Sequence, residues 1–211
     1  MGINKMLTES QLKIFEPLTR NMLKEYSIKE IKEACGEKSN NALALALKKF
    51  KEENLVKERR VGRSLLYTIN ADNGLVFNYI QLINTKKLPK SVLRAIERIK
   101  EDVEKHTSFF SIVIFGSYAI EKQTKDSDLD IAVFIEQEDK RKIVEAVFKS
   151  MELKSLLKIH GHVITKNEFL EMLNVDYENL GKEIARKHLI IHNPVIFYSM
   201  LKEGMKHGFK L

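Results

Sequence analysis

Apolar positions recur at helical spacing over residues 8–24, where Leu12, Phe15, Leu18, Met22 and Leu23 line up, and Pro17 marks a kink or a break within that helix. Ser27-Ile28-Lys29-Glu30 is a capping box and opens a short second helix on Ile28, Ile31 and Ala34 that stops near Gly36. Ser39-Asn40-Asn41 offers new caps before a third helix over 42–54, carried by Leu43, Leu47 and Phe50. The pattern then shortens to two strand-like runs, 55–60 and 64–69, around Val61-Gly62-Arg63, which predicts a hairpin. Helical spacing returns over 71–84 on Leu75, Tyr79, Leu82 and Ile83, and again after Ser91 on Val92, Leu93, Ile96, Ile99 and Val103. Between them, Thr85–Lys90 is polar, basic and contains Pro89, so it reads as a linker.

From Phe109 the pattern changes. Phe109–Phe115 and Ile131–Ile135 are short apolar, β-branched runs typical of buried strands. A helix is predicted over 139–153, a third strand over 156–165, and further helices from Asn167, over 177–187 and over 194–206. The first apolar run ends in Gly116-Ser117, and the second opens on Asp128-Leu129-Asp130. Alternation along a strand gives Asp128 and Asp130 the same face. Two carboxylates so placed repel each other unless a cation lies between them, and a hard divalent ion with oxygen ligands, Mg²⁺ first, suits the pair. Gly116 lets backbone approach a phosphate, Ser117 can donate its hydroxyl, and a helix starting at Tyr118 would turn free N–H groups to the same anion.

Gly-Ser, ten residues and Asp-x-Asp, each at a strand end, resemble the nucleotidyltransferase superfamily of DNA polymerase β, and most closely its minimal prokaryotic members, over about Ser108 to Thr165. The resemblance implies nucleotide binding by Gly116 and Ser117 and catalysis and metal binding by Asp128 and Asp130. It implies Mg²⁺ as cofactor and an NTP, ATP first, as the donor of a nucleotidyl group to a hydroxyl acceptor. Relatives use a third carboxylate on the neighbouring strand. The stretch 156–165 contains no Asp or Glu, and the alternatives are Glu168 just beyond it, His162 and His160. Relatives also continue with Arg-Gly where this chain has Ile120-Glu121, which leaves Lys122 and Lys125 as substitutes for a phosphate contact.

Three helices followed by a basic-tipped hairpin resemble a winged helix-turn-helix. That resemblance implies DNA contacts by Lys38, Asn40, Asn41, Lys48 and Lys49 on the third helix and by Arg59, Arg60 and Arg63 on the wing. For Asn40 and Asn41, helix capping is the competing role.

Charge sharpens the division. Residues 1–85 carry 14 Lys and Arg against 10 Asp and Glu, residues 86–107 carry 7 against 4, and residues 108–211 are balanced at 15 against 15. The excess behind the net +7 therefore lies before the Gly-Ser segment, which suits an anionic polymer as partner of the first half. Cys35 is the single cysteine, which excludes an intrachain disulfide and fits a buried core position. No apolar run reaches the length of a membrane span. Met1–Met6 lacks the apolar core of a signal peptide, and Gly2 does not read as a myristoylation site. A cytoplasmic location is the default.

The expectation is an α+β chain: a winged helix-turn-helix over 1–85, then a small nucleotidyltransferase fold over 86–211, with a mixed sheet flanked by helices. Its function would be nucleotidyl transfer coupled to DNA binding. The alternatives are a catalytically weak, nucleotide-sensing DNA-binding regulator and an antitoxin-like role with a protein partner; a homodimer is open.

Overall fold

The computed structural model describes residues 6–210. The reading of Gly2 and of most of the N-terminal stretch lies outside those residues. Contacts divide the chain into two units, Met1–Ile83 and Asn84–Leu211.

The first unit starts with α1 (Glu9–Arg20), closed by a capping box between Thr8 and Gln11. Pro17 sits inside α1, which ends at Asn21 rather than continuing to residue 24. A two-residue strand, β1 (Tyr26–Ser27), leads into α2 (Ile28–Cys35), whose capping box joins Ser27 and Glu30 and whose end is the left-handed Gly36. In α3 (Asn40–Glu52), Ser39 provides the cap, so Asn40 and Asn41 are the first helical residues and do not serve as its caps. The hairpin β2 (Val56–Val61) and β3 (Ser64–Ile69) follows, then α4 (Gly74–Lys86). The strands order as β1-β3-β2, all antiparallel. Phe15 sits at the centre, with its ring edge-on to Phe50 at 5.0 Å and to Tyr79 at 6.0 Å. Cys35 is buried.

The expected linker is largely structured. α4 runs through Lys86, Leu88 is buried in the core of the second unit, and α5 (Lys90–Glu104) begins directly after Pro89. Ser91 is already inside α5 and does not cap it.

The second unit is built on a four-stranded mixed sheet in the order β6-β5-β4-β7. β4 (Phe110–Ile114) lies antiparallel to β5 (Leu129–Ile135) and to β7 (Leu189–His192), while β5 and β6 (Ile159–Thr165) are parallel. Strand β7 was not expected from its sequence, and β6 starts three residues later than expected, leaving Leu156 fully exposed. A parallel pair needs a crossover, here a 3-10 turn (Glu138–Lys140) and α7 (Arg141–Lys154).

Alternation sorts the strand residues. Ile112, Ile114, Ile131, Val133, Ile135, Ile159 and Val163 share one core with α5 and α7. On the other face Phe134 meets Phe169 of α8 (Lys166–Asn174) at 4.9 Å and Phe197 of α10 (Pro194–Lys206) at 5.2 Å. The short helix α9 (Leu180–Arg186) lies between them in sequence and begins three residues later than expected. Among the described residues, no helix is long and apolar enough to cross a membrane.

Candidate active site

The polar stretch between β4 and β5 converges on the start of β5. Gly116–Ala119 forms one helical turn, α6, and does not begin a longer helix at Tyr118. Ile120 leaves the helix, and Glu121 turns the chain at φ +56°, a conformation that ordinarily favours glycine. Ile120 and Glu121 thus make the turn in this chain, and Glu121 pairs with Lys87 at 3.0 Å. Lys122 and Lys125 are exposed. The descending loop is pinned by the Ser127 hydroxyl, which accepts the Thr124 N–H at 2.8 Å. The Phe115 N–H donates to the Asp130 carbonyl at 3.1 Å, and the Leu129 N–H to the Lys158 carbonyl at 2.8 Å. Both ends of the loop are therefore tied to the strands that flank it.

Gly116 has φ +64° and lies against Asp130: a Cβ there would stand 2.2 Å from Asp130 Oδ2. The glycine is required by the carboxylate beside it as well as by backbone geometry. Ser117 follows on the same turn, half-buried, and its carbonyl accepts the Lys122 N–H at 3.0 Å.

Asp128 and Asp130 meet on the neighbouring strand a residue the sequence marked as one of several. The β5–β6 register pairs Asp130 with His160 and Ala132 with His162. The His160 ring lies across both carboxylates, with Nε2 3.6 Å from Asp128 Oδ2 and Nδ1 3.6 Å from Asp130 Oδ1. Its side chain is 59% exposed, against 35% for Asp128 and 27% for Asp130. Burial raises the Asp130 pKa, and the Asp128 charge adds to it, with His160 and His162 opposing. The Asp128 Oδ1 atom is buried without a hydrogen-bond partner, as is Gln123 Oε1 in the same loop. His162 is set back, half-buried, with its ring 5.7 Å from that of Phe115, and burial lowers its pKa.

Glu168 does not belong to this site. It follows β6 at the end opposite Asp130, about five strand residues or 16 Å away. Its carboxylate closes the α8 capping box, accepting the Thr165 N–H at 2.9 Å and the Thr165 hydroxyl at 3.0 Å, and it pairs with Arg141. Burial works against its ionisation, but these donors hold its pKa below the usual range.

An orphaned carboxylate oxygen beside a second half-buried carboxylate fits a divalent cation. Among the described residues, no three His, Cys, Asp or Glu side chains stand already converged as a preformed metal cage. A Mg²⁺-type site uses one or two carboxylates and leaves the remaining positions to substrate phosphates and water. Asp128 and Asp130 would hold the ion, and it would supply charge neutralisation at a polyphosphate. Phe115 and Gln123 were not singled out from the sequence. Phe115 carried the signal of standing next to Gly116, whereas the orphaned oxygen of Gln123 is visible only in three dimensions.

In the first unit, the residues expected at a nucleic-acid surface separate. On α3, Asn40, Asn41 and Lys48 are exposed, with Asn40 accepting from Lys32. Lys49 instead turns inward, bonded to the Met6 carbonyl at 3.3 Å and Gln11 Oε1 at 3.4 Å and paired with Glu53 at 3.5 Å, so it leaves the set. On β2, Arg59 is clamped by both carboxylate oxygens of Glu25, while Arg60 and Arg63 are exposed. Lys38 is exposed at the α2–α3 turn.

Comparison with curated proteins and with solved structures gives no match. Residues 96–192, from α5 through β7, match the family model described as nucleotidyltransferase domain, and over that segment the chain is similar to the nucleotidyltransferase superfamily.

Proposed function

We propose that the second unit is a divalent-cation-dependent nucleotidyltransferase, with Mg²⁺ or a similar ion held by Asp128 and Asp130 and the phosphates of an NTP received by the Gly116-Ser117 turn. The observation that carries this reading is the pair Asp128 and Asp130 at the head of β5, with Asp128 Oδ1 buried and unpartnered and Gly116 packed against Asp130. The family match over 96–192 supports nucleotidyl transfer in general. In such a transfer an acceptor hydroxyl oxygen bonds to the α-phosphorus while the bond to the pyrophosphate oxygen breaks. This chain's residues would orient the polyphosphate and concentrate negative charge where the ion must sit. Calorimetry with ATP and Mg²⁺ tests the site: binding is expected for the native chain and lost in Asp128→Ala/Asp130→Ala. Equal affinity in both would remove the assignment.

The three helices and the β1-β3-β2 sheet of the first unit support a winged helix-turn-helix that binds DNA through Asn40, Asn41 and Lys48 of α3 and through Arg60 and Arg63 of the wing. The excess of positive charge in residues 1–85 points the same way.

A second reading, favoured by the lack of any Asp or Glu on β6, is a nucleotide-sensing regulator without turnover. Incorporation of label from α-labelled ATP into candidate acceptors separates the two, since robust transfer excludes the sensor.

A further inference from the structure

This inference rests on the two-carboxylate site proposed above. We infer that His160 supplies the third ligating atom of that site, and that the site therefore selects an ion that accepts imidazole, Mn²⁺ first, over Mg²⁺.

Position is the first ground. His160 is the register partner of Asp130 on the adjacent parallel strand, and its ring nitrogens lie 3.6 Å from an oxygen of each aspartate. Ligands bound to one ion at right angles, each about 2.1 Å from it, stand about 3 Å apart, so the ring must turn to aim one nitrogen at the ion and close the distance to the carboxylates by about half an ångström. Its side chain is 59% exposed, which leaves open space for that turn.

Composition is the second. β6 runs Ile-His-Gly-His-Val-Ile-Thr and brings no carboxylate to the site. Glu168, the nearest acid in sequence, is engaged at the far end of the strand. His162 is a poorer donor to the same point: it is two residues on, or about 6.6 Å along the strand, and its ring lies tilted against that of Phe115.

Chemistry gives the consequence. Replacing a third carboxylate by a neutral imidazole lowers the charge facing the ion from three to two. Mg²⁺, a hard ion bound largely by charge and oxygen, loses most, whereas ions that accept nitrogen ligands lose less. Gly161 between the histidines matters here too. A Cβ at that position would overlap the Phe148 ring at 2.1 Å, so β6 is held close against α7 and the height of His160 is fixed.

The test uses the full chain labelled with ¹⁵N-histidine and loaded with Mn²⁺ and inorganic triphosphate, which contains no nitrogen. Pulsed EPR is expected to show a directly bound imidazole nitrogen in the native chain and in His162→Gln, and none in His160→Gln. Calorimetry is expected to show Mn²⁺ preferred over Mg²⁺, with His160→Asp shifting the ratio toward Mg²⁺ by about tenfold or more. Bound Mn²⁺ without nitrogen coupling in the native chain overturns the inference and leaves the two-carboxylate site standing. Coupling that disappears only in His162→Gln overturns it as well. Failure of both ions to bind overturns the inference and the two-carboxylate site together. The native spectrum alone decides whether any imidazole is bound, whatever the folding of the variants.

Discussion

Gly116 and Asp130 are fitted to each other: the glycine has no side chain at the point where a methyl carbon would stand 2.2 Å from the aspartate oxygen. The same glycine holds φ +64°, where an L side chain adds strain of its own. Gly116→Ala is therefore expected to cost about 2 kcal/mol or more and to weaken nucleotide binding by displacing Asp130. Chemical denaturation and calorimetry on the same protein check both, and an unchanged midpoint would contradict the fit.

The carboxylates themselves are expected to oppose folding when no cation is bound. Burial raises the Asp130 pKa and Asp128 reinforces it, so the charged pair is held at a cost. Asp128→Asn/Asp130→Asn should raise the thermal midpoint of the metal-free chain by a few degrees, at about 2–4 °C per kcal/mol, while abolishing the stabilisation the native chain gains from ATP and divalent ion. A lower midpoint would mean that the pair with His160 outweighs the repulsion.

Glu168 should behave as a helix cap and nothing more. Glu168→Ala removes the acceptor for the Thr165 N–H and leaves Arg141 without that partner, for a loss of about 1–2 kcal/mol, whereas its effect on nucleotide and metal affinity should be nil. Thermal melts and calorimetry separate the two.

His188 gives the second unit a stability limit in acid. It is largely enclosed, and burial takes its pKa down to about 4. The Ile184 carbonyl can only accept, so Nδ1 carries the hydrogen at 2.8 Å and Nε2 accepts from the Tyr198 hydroxyl at 3.2 Å. The unfolded chain, with an ordinary value near 6.5, takes up this proton first. The stability is thus complete above about pH 6.5 and lost progressively as pH falls towards 4, by about 3 kcal/mol from this group. Denaturation midpoints at pH 7, 5.5 and 4.5 should trace that loss, and His188→Gln should flatten it.

The wing arginines are expected to differ. Arg60→Ala and Arg63→Ala should each reduce the slope of log DNA affinity against log salt by about 1. Arg59→Ala should reduce it less, because Arg59 is held by Glu25, and Glu25→Gln should strengthen binding. Fluorescence anisotropy over a salt series provides the slopes. Equal effects at all three positions would mean that the Glu25 clamp opens on DNA.

Local signals carried much of the architecture. The capping box Ser27–Glu30, the hairpin around Gly62 and the apolar runs before Gly116 and after Asp130 each depend on neighbours in sequence, and each is found as read. What failed depends on distant partners. Leu189–His192 is too short to declare itself a strand without β4 beside it. The stretch 85–90 looks like a linker until Leu88 meets the second unit's core. Glu168 and His160 both stood as alternatives from sequence, with the histidine ranked last, because only the parallel register of β5 and β6 shows which end of the strand each occupies. Lys49 was misread for a similar reason, since Gln11 lies 38 positions away.

β7 sits beside β4 although more than 70 residues separate them in the chain, and with β6 it forms one of the sheet's two outer strands. A chain cut after Thr165 would contain Gly116, both aspartates and His160, yet would leave β4 with one edge bare. On the ribosome the metal-site residues are made long before the strand that closes the sheet, and this late, long-range pairing is the kind that slows folding and exposes an edge to other chains. Fragments ending between residues 165 and 189 are thus the ones expected to aggregate, and any minimal domain made from this protein should extend through His192.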